Sequence, residues 1–298
     1  MIYSVKVTTK SGLVQTMELG RPAASGLLIR SISGLTPGAV DLKMTDYATL
    51  PGSILSGSRK PTRNVVIDMI VLWSTTVEQC RHKVERLFKL GEMVRLDFVT
   101  EERECFVNGV VESNDPDIFN GDGLDGVPCQ ISIVCPDPRI FDIHDTVLVT
   151  YSALQNGFTF PANITSETPI GILESENKFN ITYDGTEDEG VIFTFVFKAN
   201  VGSFKIRNVT DDSYMLITPY EPFISGDILT INTKIGEKSI IMKRNGLDYN
   251  YMSYYHAYES EFVSLRTGTN SFIIESDGVA SGNKFTVRVT FTKAYWGI

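Results

Sequence analysis

The chain has 298 residues, of which 42% are apolar, and its net charge is −9. This length suits one large or two ordinary domains, and the apolar content supports a real core. The acidic balance argues against nucleic-acid binding through overall charge, because phosphate contacts need clustered Lys and Arg. The sequence has no apolar run of about 18 residues, and residues 1–10 lack the apolar block of a signal peptide. We therefore expect no membrane span, and a protein made and assembled in a cytosol.

The first part of the chain is typical of short strands separated by glycine. Tyr3–Thr9 and Leu13–Glu18 predict two strands joined by a tight turn, and Leu27–Ser33 predicts a third. Ser56–Pro61 is polar and contains glycine and proline, so its composition predicts a loop. Asn64–Trp73 is almost continuously apolar, which predicts a central strand that is covered on both faces.

One amphipathic helix is predicted, over Thr76–Leu90. The stretch Thr75-Thr76-Val77-Glu78 has the spacing of a capping box, in which the glutamate reaches back to the cap amide. Gly91 stands where a helix commonly stops. The apolar residues of the segment fall at helical intervals and form a single stripe, which consists of Val77, Cys80, Val84, Leu87 and Phe88.

Three more strands are predicted after the helix, at Met93–Val99, Glu104–Glu112 and Cys129–Cys135. Between the last two lies an acidic, glycine-rich loop, Asn114–Val127. Carboxylates at this density can hold calcium, but the residue order of an EF-hand is absent. A solvated connection between strands is the simpler interpretation, and calcium stays open as an alternative. Pro136-Asp137-Pro138 then ends the first region.

The region from about Asp142 onwards contains no helical period of useful length. Runs such as Phe193–Phe197 and Phe285–Phe291 alternate apolar with other residues, and turns rich in Gly, Asn and Asp separate them. Many short strands of this kind indicate a β-sandwich. We therefore predict two domains, residues 1–141 and residues 142–298.

The cysteines are interpreted as small buried hydrophobes rather than disulfide or metal partners. Cys129 and Cys135 fall on one face of a strand, roughly 20 Å apart at about 3.3 Å per residue, which is too far for a bridge. Cys80 and Cys105 lie in the helix and in another strand, and no Cys-x-x-Cys occurs.

Residues that could carry catalysis are few. His82, His144 and His256 are not spaced for zinc, and no Gly-x-Ser-x-Gly elbow occurs. Nothing in their spacing selects a glycosidase pair from the glutamates Glu174, Glu176, Glu187 and Glu189. The sequence therefore predicts a non-enzymatic protein with no catalytic residue, no cofactor site and no metal site.

A cluster of tyrosines between Tyr249 and Tyr258 admits three interpretations. The side chains could be ordinary core and rim positions of a sandwich, a protein contact, or a platform on which sugars stack. The third interpretation supports an alternative function, a carbohydrate-binding adhesin that recognises the host cell wall.

A series of short motifs follows a definite order along the first half of the chain. Gly34-Leu35 follows a strand, and Pro51-Gly52-Ser53 comes next. Arg59 and Arg63 precede the apolar strand, and Cys135-Pro136-Asp137-Pro138 closes the region after the helix.

The second half continues the series and completes a resemblance. Gly226–Thr233 carries a G-D-x-L-x-I pattern, Glu259–Asn270 carries an F-x-x-L pattern that ends in G-T-N, and Ala294-Tyr295-Trp296 stands near the end of the chain. In this order the motifs resemble the distal tail proteins of long-tailed bacteriophages, the Dit-like, siphovirus-type tail components. Asn232 stands where the family more often has Asp, and Thr267 where it has Pro.

The resemblance implies a mainly β fold: an N-terminal, ring-forming β-barrel-like domain that bears one helix, and a C-terminal galectin-like β-sandwich. It implies a homo-hexamer that joins the tail tube protein to the tail-tip hub protein, while DNA passes through the lumen without specific binding. It places the protein in the virion, at the tail tip or baseplate, after assembly in the host cytoplasm. The first domain is expected to make the ring contacts, by joining strands or by packing the helix.

Overall fold

The structure, a computed structural model, describes residues 2–20, 25–72, 77–116, 126–151, 178–276 and 284–298. The chain divides into two compact units. The first consists of Met1–His144 together with Ala294–Ile298, and the second of Asp145–Lys293. The predicted domain ranges, 1–141 and 142–298, differ from these units mainly because the last residues of the chain return to the first unit.

The elements of the first unit are, in chain order, β1 (Ile2–Thr9), β2 (Val14–Leu19), β3 (Leu27–Ser33), β4 (Asp41–Asp46), β5 (Ser53–Arg59), β6 (Arg63–Leu72), α1 (Val77–Leu87), β7 (Met93–Thr100), β8 (Glu104–Pro116), β9 (Gly126–Cys135) and β10 (Ile140–Asp142). The second unit contains β11 (Thr146–Tyr151), β12 (Lys178–Tyr183), β13 (Ile192–Phe197), β14 (Phe204–Asn208), β15 (Ser213–Ile217), β16 (Ile228–Asn232), β17 (Ser239–Arg244), β18 (Leu247–Asn250), β19 (Gly268–Ser276) and β20 (Phe285–Phe291). The last strand, β21 (Ala294–Tyr295), belongs to the first unit.

Seven strands of the first unit close into a barrel. Their hydrogen-bonded order is β8-β7-β1-β2-β3-β6-β9, and β9 pairs again with β8. Only β2 and β3 run parallel. Closure leaves these seven strands without a free edge, and β10 and β21 extend the sheet beside β8.

Alternate side chains of the barrel strands fill its interior. Val5 and Val7 of β1 and Leu96 and Phe98 of β7 have no exposed surface. Because the period of a strand is two, alternation of this kind directs every second side chain inward. The barrel is therefore a packed core rather than a pore.

Strand β6 corrects one prediction. It pairs with β3 on one side and β9 on the other, so it is central as expected. Val65, Ile67 and Met69 point into the barrel, but Asn64 is exposed and Val66 only half-buried. The expected cover on both faces is wrong for the first half of the strand, because closing a sheet into a barrel covers its inner face alone.

Helix α1 is shorter than predicted but lies at the predicted place. Val84, Leu87 and Phe88 are buried and seal it onto the core. The residues that precede Val77 in the expected capping box, like the side chain of Cys80, fall outside the described residues. Gly91 has a φ of 75° and donates its N–H to the carbonyl of Val111 in β8, so the chain leaves the helix there.

Strands β4 and β5 pair only with each other and form a separate two-stranded hairpin. The loop predicted over Ser56–Pro61 is wrong as far as Arg59, because these residues lie in β5. Polar cross-strand bonds support the pairing, with Thr45 Oγ1 2.9 Å from Ser56 Oγ and Ser53 Oγ 2.7 Å from Asp46 Oδ1. Neither face of the hairpin is buried, so its sequence lacks the alternation from which a strand is predicted.

The second unit is a sandwich of a six-stranded sheet, β11-β20-β13-β16-β17-β18, and a four-stranded sheet, β12-β19-β14-β15. One core rich in phenylalanine lies between them. The rings of Phe197 and Phe223 stack with centroids 4.4 Å apart, and those of Phe195 and Phe204 lie 5.0 Å apart. The predicted mainly β fold, with a one-helix barrel followed by a β-rich second half, is confirmed.

Candidate assembly interface

The histidines, cysteines and acidic residues that could have supported catalysis do not form a site in the described part of the chain. His82, His144 and His256 are all exposed. Across the described residues, no three His, Cys, Asp or Glu side chains lie close enough to hold a metal ion. Most of the acidic loop, residues 117–125, lies outside the described residues, as do Glu174 and Glu176.

Three cysteines are buried in the first unit and carry free thiols. Burial raises the pKa of Cys105 and of Cys129 to about 12, and that of Cys135 to about 11. Because the thiolate is the reactive form, these side chains are inert packing groups at neutral pH.

The tyrosine cluster serves mainly as core and rim of the sandwich. Tyr251 is buried and its ring lies 4.7 Å from that of Tyr254. Tyr255 packs on Phe262 at 4.8 Å and donates its hydroxyl to the carbonyl of Ser260 at 2.8 Å. Burial raises the pKa of both Tyr251 and Tyr255. Their rings are engaged inside the unit, which weakens the interpretation of this segment as a sugar platform.

The β4–β5 hairpin is the most exposed apolar element of the first unit. Every residue of both strands is exposed. Met44 and Leu55 face each other across the strands. An isolated two-stranded hairpin is marginally stable in water, and its unpaired edges can add a further strand. Its large apolar side chains, each between 46% and 65% exposed, are Leu42, Met44, Tyr47, Leu50, Ile54 and Leu55.

The base of the hairpin, in contrast, is tightly held by Arg63. The buried guanidinium donates to the carbonyls of Gly34 and Pro138 at 2.6 Å, of Thr36 at 3.1 Å, and also of Trp296. Burial lowers the pKa of Arg63. Five rigid donors in a planar fork allow one side chain to bind four carbonyls from three chain segments, which the single ammonium of lysine could not do.

Trp296 completes this base from the other end of the sequence. Its indole N–H donates to the carbonyl of Gly38 at 3.3 Å, and Lys60 Nζ lies 4.8 Å from its ring centroid. Ile298 N–H donates to the carbonyl of Leu35 at 3.1 Å. Both stems of the hairpin are therefore held by the C-terminal residues.

Gly34 is required at this base by its conformation and by space. Its φ is 84°, and a Cβ placed on it would lie 1.9 Å from the carbonyl oxygen of Asn64. The motifs from which the resemblance was drawn thus meet here: Gly34-Leu35, Arg63, the Pro138 segment and Trp296. The sequence showed only their order, because the bonds of Arg63 join residues between 27 and 233 positions apart.

The motifs of the second half are also structural. Asp227 is buried and accepts bonds from Arg244 at 2.6 to 3.1 Å and from Ile224 N–H at 2.9 Å. Burial by itself raises its pKa, but the bonds from Arg244 and Ile224 hold the pKa below its ordinary value. Asn270 is likewise buried and closes a turn through Arg266, exchanging bonds of 3.0 and 2.8 Å.

Residues 184–295 match the family model of the siphovirus-type tail component, C-terminal domain. Over these residues the chain is similar to the Dit-like, siphovirus-type tail components. A comparison with curated proteins finds no match. This match bears out the resemblance stated from the motifs over that part of the chain.

One solved structure shows the same fold over almost the whole length of this chain. The Dit protein of phage SPP1, described as a hub of the adsorption apparatus of phages that infect Gram-positive bacteria, is 13% identical. The match covers 97% of this chain and 98% of that one, with a TM-score of 0.68. The phage P2 baseplate in its activated conformation, solved with Ca and with Sr, gives 10% and 11% identity over 97% of both chains, with TM-scores of 0.45. No helix in the described part of the chain is long and apolar enough to cross a membrane.

Proposed function

We propose that this protein is the hub of a phage distal tail: a homo-hexameric ring that joins the tail tube protein to the tail-tip hub protein and leaves a channel for DNA. The observation that carries the proposal is the β4–β5 hairpin, whose base is rigidly held and whose apolar side chains are all exposed in the single chain. A firmly anchored element with no partner of its own is suited to contact a neighbouring subunit.

The topology supports the hairpin as the ring contact. The barrel strands have neighbours on both sides, whereas β4 and β5 pair only with each other, so each leaves one whole edge unpaired among the described strands. A strand edge can be extended by another chain through main-chain hydrogen bonds, and apolar side chains add affinity. The stems of the hairpin are fixed by Arg63 and Trp296, which lowers the ordering cost of docking.

The packed barrel supports a channel between subunits. The inward side chains of the barrel have no exposed surface, so DNA has no path through one barrel. A lumen must lie on the axis of a ring of copies. The net charge of −9 disfavours retention of DNA in such a lumen, since phosphates are repelled by an acidic protein.

Imaging and mass measurement of the full chain, in tail particles and at high concentration, test the ring. We expect six copies per ring in native mass spectrometry and negative-stain images. Replacing residues 41–59 by a short Gly-Ser linker should abolish the ring while the second unit still unfolds cooperatively. The exposed helix substitution Glu78→Ala serves as the control and should leave the ring intact. A protein that stays monomeric in particles would overturn the proposal.

A further inference from the structure

A pocket lies beside helix α1, at the end of the barrel where β1 turns into β2. It encloses about 350 Å³ and is lined by Leu13, Gln15, Leu27, Gln79, His82, Lys83, Arg86 and Leu87. Leu27 and Leu87 are buried and form an apolar floor, and Leu13 is exposed at its mouth. The pocket therefore offers an apolar surface that the described residues leave open to solvent.

The rim of this pocket is basic. Lys83 donates a hydrogen bond to the carbonyl of Ser25, and because that carbonyl is neutral, Lys83 keeps its positive charge. His82 Nδ1 lies 3.3 Å from Glu85 Oε2. Arg86 is exposed and, among the described residues, has no carboxylate partner. Lys10, in the adjacent turn, is exposed as well. A ligand with an apolar tip and a carboxylate matches this combination of floor and rim.

The tip of the β4–β5 hairpin has this composition. Tyr47 and Leu50 are exposed at the tip, and Tyr47 N–H donates to the carbonyl of Gly52 to close it. Asp46 is the nearest charge and is also exposed. The tip is therefore apolar and acidic where the pocket is apolar and basic.

The two surfaces lie at opposite ends of the barrel. Ile2 pairs with Thr100 at one end of β1, and Ile2 and Thr100 line a common pocket with Thr36, from which the hairpin leaves. At the other end of β1, Thr8 pairs with Val14, beside the pocket at Leu13. Different complementary patches at opposite ends produce head-to-tail association, which closes into a ring when the rotation allows.

We infer that the pocket between α1 and the β1–β2 turn receives the hairpin tip of a neighbouring copy of this chain. Leu50 enters against Leu13 and Leu87, and Asp46 faces Arg86. The inference rests on the proposed ring, and it adds which surface of the next subunit the hairpin contacts.

A charge exchange in the full chain tests the pairing. Arg86→Asp and Asp46→Arg should each weaken association about tenfold, as expected for one close charge pair, and the double variant should recover to within about threefold of the native protein. Mass photometry across a concentration series and ring counts in tail particles measure the effect. Recovery in the double variant cannot be produced by misfolding, so it separates a contact from damage to the helix.

Cysteine crosslinking gives a second, independent readout. In a Cys80→Ala background, Leu13→Cys with Leu50→Cys should give a ladder of disulfide-linked oligomers on a non-reducing gel, and either single variant should give none. The three described native thiols are buried and should not interfere. A hexameric ring without a ladder and without charge recovery would overturn this inference and leave the proposed ring standing. A native protein that forms no ring would overturn both.

Discussion

At the residue scale, the first unit depends on one cation with several carbonyl partners. Arg63 is buried among the carbonyls of Gly34, Thr36, Pro138 and Trp296, so its charge is balanced by oriented dipoles rather than by a carboxylate. Such an arrangement is demanding, because three separate segments of the chain must place the four carbonyls. The residues around Arg63 should therefore tolerate little change.

Gly34→Ala should destabilise the first unit by more than its backbone conformation alone explains. The left-handed conformation costs a residue with a side chain roughly 1–2 kcal/mol. The added Cβ would also lie 1.9 Å from the backbone carbonyl oxygen of Asn64. Because that atom belongs to the backbone, no side-chain movement can relieve the clash. Denaturant unfolding that follows the first unit measures the loss.

Gly12→Ala is the matched control for that substitution. Gly12 has a φ of 83°, close to the 84° of Gly34, but a Cβ there meets nothing within 4 Å. Equal losses of unfolding free energy in the two variants would show that the close approach of Gly34 to the backbone of Asn64 does not contribute to the destabilisation.

Asp227→Asn should destabilise the second unit by about 3 kcal/mol at neutral pH, because it removes the buried carboxylate that Arg244 binds and leaves only the exposed Glu221, at 3.4 Å, as a charged partner. The folded pKa of Asp227 lies below the unfolded value of about 3.9, so the carboxylate stabilises the unit above that pH. The stabilisation should disappear as the pH falls through the folded pKa. Thermal unfolding of the native protein and of Asp227→Asn should be measured from neutral to acidic pH. The difference between their unfolding free energies should shrink only towards acidic pH.

The exposed carboxylate of Asp248 gives the control for the pH experiment. It pairs across strands with Lys243 at the edge of the sandwich. Asp248→Asn should shift the free energy of unfolding by less than about 0.5 kcal/mol at any pH in the series. A pH-independent gap between the native protein and Asp227→Asn would contradict the assigned ion pair.

At the element scale, the sequence predicted elements well where one face is buried and poorly where none is. Leu13–Glu18, Leu27–Ser33 and Met93–Val99 alternate because one face of each fills the barrel, and the predicted strands agree with β2, β3 and β7 within about two residues. Strand β5 has no buried face, so its polar residues resembled a loop. The periodic spacing of apolar residues arises because one face of an element is buried. An element that is exposed in the single chain therefore lacks the periodic spacing from which it could be predicted.

The last strand is an element that no local pattern predicted. β21 pairs with β10, and Ala294 is fully buried. Deleting residues 294–298 removes this pairing, the Trp296 carbonyl that Arg63 binds, and the contact of Trp296 with Gly38. We expect a clearly lower unfolding midpoint for the first unit and an unchanged one for the second, measured by calorimetry.

Trp296→Phe is the control for the deletion. It keeps the backbone carbonyl and an aromatic ring beside Lys60, and it loses only the indole hydrogen bond, which is worth about 1 kcal/mol. A truncated protein as stable as Trp296→Phe would show that β21 does not support the first unit.

At the scale of the whole molecule, the two units use the chain differently. The second unit is continuous in sequence, whereas the first is completed by residues from the far end of the chain. The first unit also carries a hairpin whose apolar side chains stay in water, while the large aromatic side chains of the second unit are mostly internal. The exposed hairpin of the first unit is therefore the surface that the proposed ring would cover.

The sequence alone determined the mainly β class, the position of helix α1, the burial of Cys105, Cys129 and Cys135, and the resemblance to the distal tail proteins. These follow from local period, composition and motif order. Only the tertiary structure decided that the barrel closes, that the hairpin stays exposed, and that Gly34, Arg63, Pro138 and Trp296 meet. The physical reason is separation along the chain: hydrogen bonds between Arg63 and Trp296 join residues 233 positions apart. No periodic pattern extends over such a distance, so only folding brings those residues together.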